Sequence, residues 1–172
     1  MTKSFLNAFV IGLLFFGLAA IEALGQKTEV QAVPGVTFQN ENSKPVTFSP
    51  AEIRKLARHT VKAVDHGTEA SFEGFALADV LKMGGVEFGE SLRGRRLLTY
   101  LLVEAADKYS ALFALPELDP AFNDRLIIIA DKRDGKPLSA TDGPWRVIVP
   151  GEKRGARWVR QVVGLRILSA GS

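Results

Sequence analysis

The sequence predicts an α+β domain, with short helices packed against mixed sheet. Three observations carry this reading. Short β-rich runs recur from Val46 to Leu168, separated by turn residues. Two short helical segments with start and stop signals lie among them. The chain closes on Asp142–Ile167, which reads as strand, glycine-containing turn and strand, with a basic connection. Many short strands with two short helices make a layered α+β domain.

The 172 residues suit one domain, and 47% hydrophobic with 24% charged is an ordinary globular balance. A net charge of +3 is too mild to argue for nucleic acid. The chain has no cysteine. That excludes disulfides, thiolate metal sites, cysteine nucleophiles and iron–sulfur clusters.

Residues 1–25 have the layout of a secretory signal peptide. Lys3 gives a basic start, Phe9–Ile21 is an uninterrupted apolar run, and Ala23 and Gly25 are small residues at the −3 and −1 positions. The alternative is a retained membrane anchor, but the run is short for a span and Glu22 follows it closely. The expected location is periplasmic or secreted. Residues 26–45 are polar, contain Pro34 and Gly35, and read as a leader. The domain proper is expected over 46–172.

Val46–Phe48 reads as a strand. Ser49-Pro50-Ala51-Glu52 is a helix start: Ser49 is the N-cap, Pro50 is N1, and Glu52 at N3 closes a capping box. His59–Val64 alternates as a strand, Asp65-His66-Gly67 is a turn, and Ala70–Phe72 is the return strand. Phe75–Met83 has helical spacing and Gly84-Gly85 stops it. Arg93–Arg96 is a basic turn. Leu97–Ala105 and Tyr109–Leu115 form a hairpin, and Pro116–Asp119 is a single helical turn. Leu126–Ala130 is a fully apolar, buried strand, and Asp134–Pro137 is a turn. Trp145–Val149 and Trp158–Leu168 complete the chain as the closing hairpin.

Several chemistries find no support. His59 and His66 are seven apart and flank a strand, which is no metal-ligand spacing, although Asp65, Glu69 and Glu73 are near. There is no nucleophile elbow, Walker loop or G-x-G-x-x-G. Asp107 and Tyr109 sit at a hairpin tip, where turn residues are usually structural. The connection with Lys153, Arg154, Arg157 and Arg160 is different. Its glycines let backbone N–H groups approach a ligand, and its cations can hold an anion; read as composition alone, it is more often a solvated loop. Trp145 and Trp158 bracket it, and either stack on a ligand or pack into the core.

The order of the motifs adds to this. G-F-x-L-x-D-V-L-x-x-G-G (Gly74–Gly85) comes first, then the tyrosine-containing hairpin (Leu98–Leu115), then an apolar strand with D-G-x-P-L (Leu126–Leu138). Last is G-P-W-R-V-I-V-P-G-x-K-R-G-A-R-W-V-R-Q-V (Gly143–Val162). This order resembles the molybdopterin-binding domain of the sulfite oxidase family, over roughly Val46 to Leu168. The resemblance implies a mixed-sheet α+β fold and molybdopterin as cofactor. It assigns the pterin phosphate to the Pro150–Trp158 loop, hence to Lys153, Arg154 and Arg157, with Arg146 a weaker choice. It assigns the metal to a cysteine thiolate in the loop before the G-F-x-L helix. Here that loop is Val64–Phe72, which holds no cysteine but does hold His66. A soft thiolate has no equivalent in His66, Asp65 or Thr68. The implied protein is an exported, non-catalytic binding or accessory protein that takes a small anionic ligand or a periplasmic protein partner. The alternatives are a molybdopterin-dependent oxidoreductase whose metal is held without cysteine, by the cofactor's dithiolene or His66, and a structural domain without ligand.

Overall fold

The computed structural model describes residues 33–171. The expected signal peptide lies outside the described residues. Two five-stranded sheets and three short α-helices make up the domain, so the α+β class holds.

The first sheet contains β1 (Val36–Gln39), β2 (Val46–Phe48), β5 (Thr99–Ala105), β6 (Ser110–Ala114) and β10 (Val162–Ser169). Its order is β2-β1-β10-β5-β6. The β1–β10 pair is parallel, with Thr37 opposite Gly164, and its other pairs are antiparallel. The second sheet contains β3 (Arg58–Asp65), β4 (Thr68–Ala76), β7 (Ile128–Arg133), β8 (Lys136–Pro137) and β9 (Arg146–Ile148). Its order is β3-β4-β7-β8, with β9 also on β7.

The helix signals act as written. Ser49 Oγ accepts from Glu52 N–H, and Glu52 carboxylate accepts from Ser49 N–H, so the capping box closes α1 (Pro50–Ile53). Helix α2 (Leu77–Met83) buries Leu77, Val80 and Leu81. The glycines of its motif are steric requirements. A Cβ on Gly74 would run into the Ile129 carbonyl oxygen of β7, and one on Gly84 into the Phe38 ring. Helix α3 (Leu115–Leu118) follows β6 directly.

Two readings need correction. Residues 26–45 are not all leader: Val36–Gln39 forms β1, with Val36 and Phe38 buried. A four-residue strand is too short for its alternation to stand out from a polar stretch. Nor is the chain end a simple hairpin. Backbone bonds from Gln161 to Asp142 and from Val162 to Trp145 join the arms near their base. The strands then part, β9 into one sheet and β10 into the other. The edges of β10 are taken by β1 and β5, which leaves none for β9. The Arg93–Arg96 turn leads into a 3₁₀ segment, Gly94–Leu98, which takes the first two residues of the predicted Leu97–Ala105 strand, and β4 is longer than the predicted return strand.

Trp145 is fully buried in the core, and its indole N–H donates to the Pro34 carbonyl at 3.0 Å. Gly74→Ala is expected to lower unfolding free energy by about 2 kcal/mol or more, because a rigid backbone stands where the methyl must go. Urea denaturation should show an earlier midpoint at unchanged slope; an unshifted midpoint would mean that β4 and β7 separate freely.

Candidate functional site

The turn between β3 and β4 has two residues, His66 (φ 50) and Gly67 (φ 84). Both lie in the left-handed region, as a two-residue hairpin turn requires. The turn places Asp65 inward and His66 outward. Asp65 is buried at 7% exposure, and the His66 side chain is 92% exposed.

Arg146, on β9, is buried at 4%. It meets Asp65 in a forked pair, Nη2 to Oδ1 at 3.0 Å and Nη1 to Oδ2 at 3.1 Å. Arg133, on β7, adds a bond to Oδ2 at 2.8 Å. The Arg146 guanidinium carbon lies 5.7 Å from the Phe72 ring centre and 5.5 Å from that of Trp158, and the two rings meet edge to face at 5.8 Å. Burial alone would push the Asp65 carboxyl upward. The hydrogen bonds and charge of Arg146, with the charge of Arg133, outweigh it and hold the group below its ordinary 3.8.

The pair forms the back of a cleft of about 870 Å³. The β3–β4 turn, from Val64 to Gly67, makes one wall, and the basic loop, from Gly151 to Ala156, makes the other. Trp158 and Arg160 complete the lining. The two loops therefore converge on one space. Among the described residues, two donors at its back have no hydrogen-bond partner: Arg146 Nε and Trp158 Nε1.

Of the residues expected at the site, the cleft brings together His66, Lys153 and Arg154. Lys153 and Arg154 are exposed and engage no carboxylate among the described residues. Arg157 is not among the lining residues. Its Nε donates to Glu152 Oε1 at 2.8 Å, and its Nη2 approaches the same oxygen. Its Nη1 donates to Glu117 Oε2 at 2.8 Å, and the guanidinium lies over the Phe113 ring at 4.8 Å. Burial would lower the Arg157 pKa, but the bonds to Glu117 and Glu152 outweigh it and raise it above its ordinary value. Arg157 braces the loop from behind. Tyr109 does similar work, donating from its hydroxyl to the Ala156 carbonyl at 2.6 Å. Tyr109 and Asp107 also line a neighbouring recess of about 500 Å³ that shares Trp158 and Arg160 with the cleft.

His59 lies at the other end of β3, about 20 Å from His66 at strand rise, in a separate recess with Asp79 and Lys82. Among the described residues no group of three or more His, Asp or Glu side chains is placed to hold a metal ion. The donor set of the cleft fits a phosphate. It does not fit the thiolate that a soft metal prefers, since the chain has no cysteine. The pairing of Arg146 with Asp65 was the feature of the site least visible in the sequence. The available signal was Arg146 itself, a charge inside the apolar run Trp145–Val149, which needs a buried carboxylate partner.

The family described as oxidoreductase molybdopterin binding domain matches residues 35–172. Among solved structures, the fold is similar to the crystal structure of the sulfane dehydrogenase SoxCD from Paracoccus pantotrophus, with a TM-score of 0.61 and 19% sequence identity. The match covers 81% of this chain and 39% of that one, so the chain spans about two fifths of its length. At that identity the likeness speaks for the fold alone. No curated protein matches the chain.

Replacing Asp65 by Asn removes the forked carboxylate and leaves buried Arg146 with Asp142 at 3.5 Å as its remaining counter-charge, at an expected cost of about 3 kcal/mol. The pH dependence follows from the depressed pKa. The stability Asp65 contributes is present above its unfolded value and lost as pH falls through the folded value. Thermal unfolding of the wild type should therefore weaken steeply below about pH 4, and Asp65→Asn should be the flatter of the two there. Parallel acid limbs would show that other carboxylates dominate.

Proposed function

Because the chain belongs to the oxidoreductase molybdopterin-binding domain family, we propose that its cleft takes the phosphate end of a pterin cofactor, or a small anion of the same chemistry. Lys153 and Arg154 would hold it, with Arg160 at the rim. The observation that carries this reading is the position of the two cations. Among the described residues they engage no carboxylate, and they stand on a glycine-flanked loop across about 870 Å³ from the β3–β4 turn. A phosphate there would meet charged donors and the backbone N–H groups of Gly151–Gly155.

The protein works in this reading as an exported binding or accessory protein, not as a redox catalyst. Export rests on the layout of residues 1–25. The non-catalytic role rests on donor chemistry. A bound cofactor of this family supplies molybdenum redox chemistry, and its metal is held by a protein thiolate that this chain cannot provide. The retained part is the anion-holding half of the site. A periplasmic protein that exchanges the ligand is the partner class this implies.

A second reading is favoured by one residue. His66 lies on the lip of the same cleft, so an oxidoreductase whose metal is held by the cofactor's dithiolene with His66 nearby fits the same geometry. The 92% exposure of that side chain argues against a fixed ligand, because nothing orients the imidazole except Asp65 at 3.8 Å.

Protein purified from a host that makes the molybdenum cofactor separates the two. Our reading expects pyrophosphate and pterin phosphate to raise the melting temperature, and no stoichiometric molybdenum. The double change Lys153→Ala and Arg154→Ala should weaken pyrophosphate at least about tenfold, as loss of one charge-assisted bond implies. Stoichiometric molybdenum that is lost in His66→Ala would establish the oxidoreductase reading instead. An absence of any anion effect would remove the binding site altogether.

A further inference from the structure

Strand β3 is an edge strand of eight residues. The other edges are blunted. β2 has three residues and β8 has two, and on β6 the Leu112 carbonyl accepts from Arg157. The β3–β4 register runs unbroken from Arg58 opposite Phe75 to Asp65 opposite Thr68. A two-residue turn closes on a hydrogen-bonded pair, so Asp65, Ala63, Val61 and His59 bond to β4. Val64, Lys62, Thr60 and Arg58 then turn their N–H and C=O groups away from the sheet. Among the described residues these groups make no hydrogen bond. Val64 is 60% exposed beside them. A free edge of this length is a template for another strand.

We propose that β3 pairs antiparallel with β3 of a second copy, joining their second sheets into one. The charges choose both the occupant and the register. Pairing about Val61 sets Arg58 opposite Val64, Thr60 opposite Lys62 and His59 opposite Ala63. Every outward backbone group then finds a partner, and no like charges face each other. A slip of two residues between the strands sets Lys62 against Lys62 in one direction, or Arg58 against Lys62 in the other, and directly opposed like charges destabilise a ladder. The sequence of β3 is thus compatible with itself in one register. The consequence reaches the site. Val64 lines the basic cleft, so the second copy's strand, with Arg58 held by its own Asp131, stands at the mouth of the cleft. The pairing stands independently of any cofactor.

The full chain, of 18.7 kDa, should sediment as a monomer–dimer mixture whose dimer fraction rises across the micromolar range, as a small edge interface implies. Thr60→Lys, which faces Lys62 across the pair, should weaken the dimer at least about tenfold, and Thr60→Glu should strengthen it. Thr60→Pro should abolish it, since proline is tolerated where an edge N–H faces solvent. Val61→Cys should form a disulfide dimer in air, and the cysteine-free background makes that result clean. If Thr60→Pro fails to fold, the two charge variants decide. A chain monomeric at all concentrations overturns the proposal. So does a dimer indifferent to the charge at residue 60, or a Val61→Cys protein that stays reduced. Capture of a different protein's strand on this edge, with no self-association, overturns it as well.

Discussion

The forked bond between Asp65 and Arg146 is the interaction on which the functional half of the molecule depends. Arg146 is carried by β9 and Asp65 by the last position of β3. The guanidinium lies between Phe72 of β4 and Trp158 of the basic loop. One buried ion pair therefore aligns two loops from distant parts of the chain. Removing either partner leaves a charge in a place without water, which is far worse than never having buried the pair. The cost of such a pair is offset here by a third partner, Arg133, and by two aromatic faces.

The cleft is consequently built from inside. Its back is an ion pair, its far wall is braced by Arg157 and Tyr109, and its exposed cations, Lys153 and Arg154, line it from the loop. Arginines of one sequence motif divide into two kinds of work. Arg146 and Arg157 are spent on carboxylates of the chain, and Arg154 is not. Charge alone could not make this division, because it depends on which carboxylates the fold brings near. Glu117 lies forty residues from Arg157, and Asp65 lies eighty-one from Arg146.

This is also where sequence reasoning reached its limit. Local signals were legible: the capping box at Ser49, the helix stop at Gly84, the apolar strand before Asp131, and the turn at His66 and Gly67. The motif order pointed to the family before any coordinates. Pairing between distant strands was not legible. Nothing in Val36–Gln39 announces a partner at Gly164–Arg166, and nothing in Trp145–Leu168 says that its two strands enter different sheets. The basic loop was visible as a run of cations between glycines, but the bond from Arg157 to Glu117, forty residues away, was not. Gly74 was visible as part of a motif, and its reason, the approach of β7, was not.

The parallel pairing of β1 with β10 has a bearing on how the chain reaches this state. β10 lies at the centre of the first sheet, between β1 and β5, and it follows all of them in sequence. Until it is in place, β1 with β2 and β5 with β6 are two separate ribbons with facing, unsatisfied edges. Two-stranded ribbons are marginal in water. Closing the gap requires contact across nearly the full length of the domain, the slow kind of contact in folding. Folding of this sheet therefore waits on β10, and a nascent chain that stops short of Val162 has its two halves but not the strand that joins them.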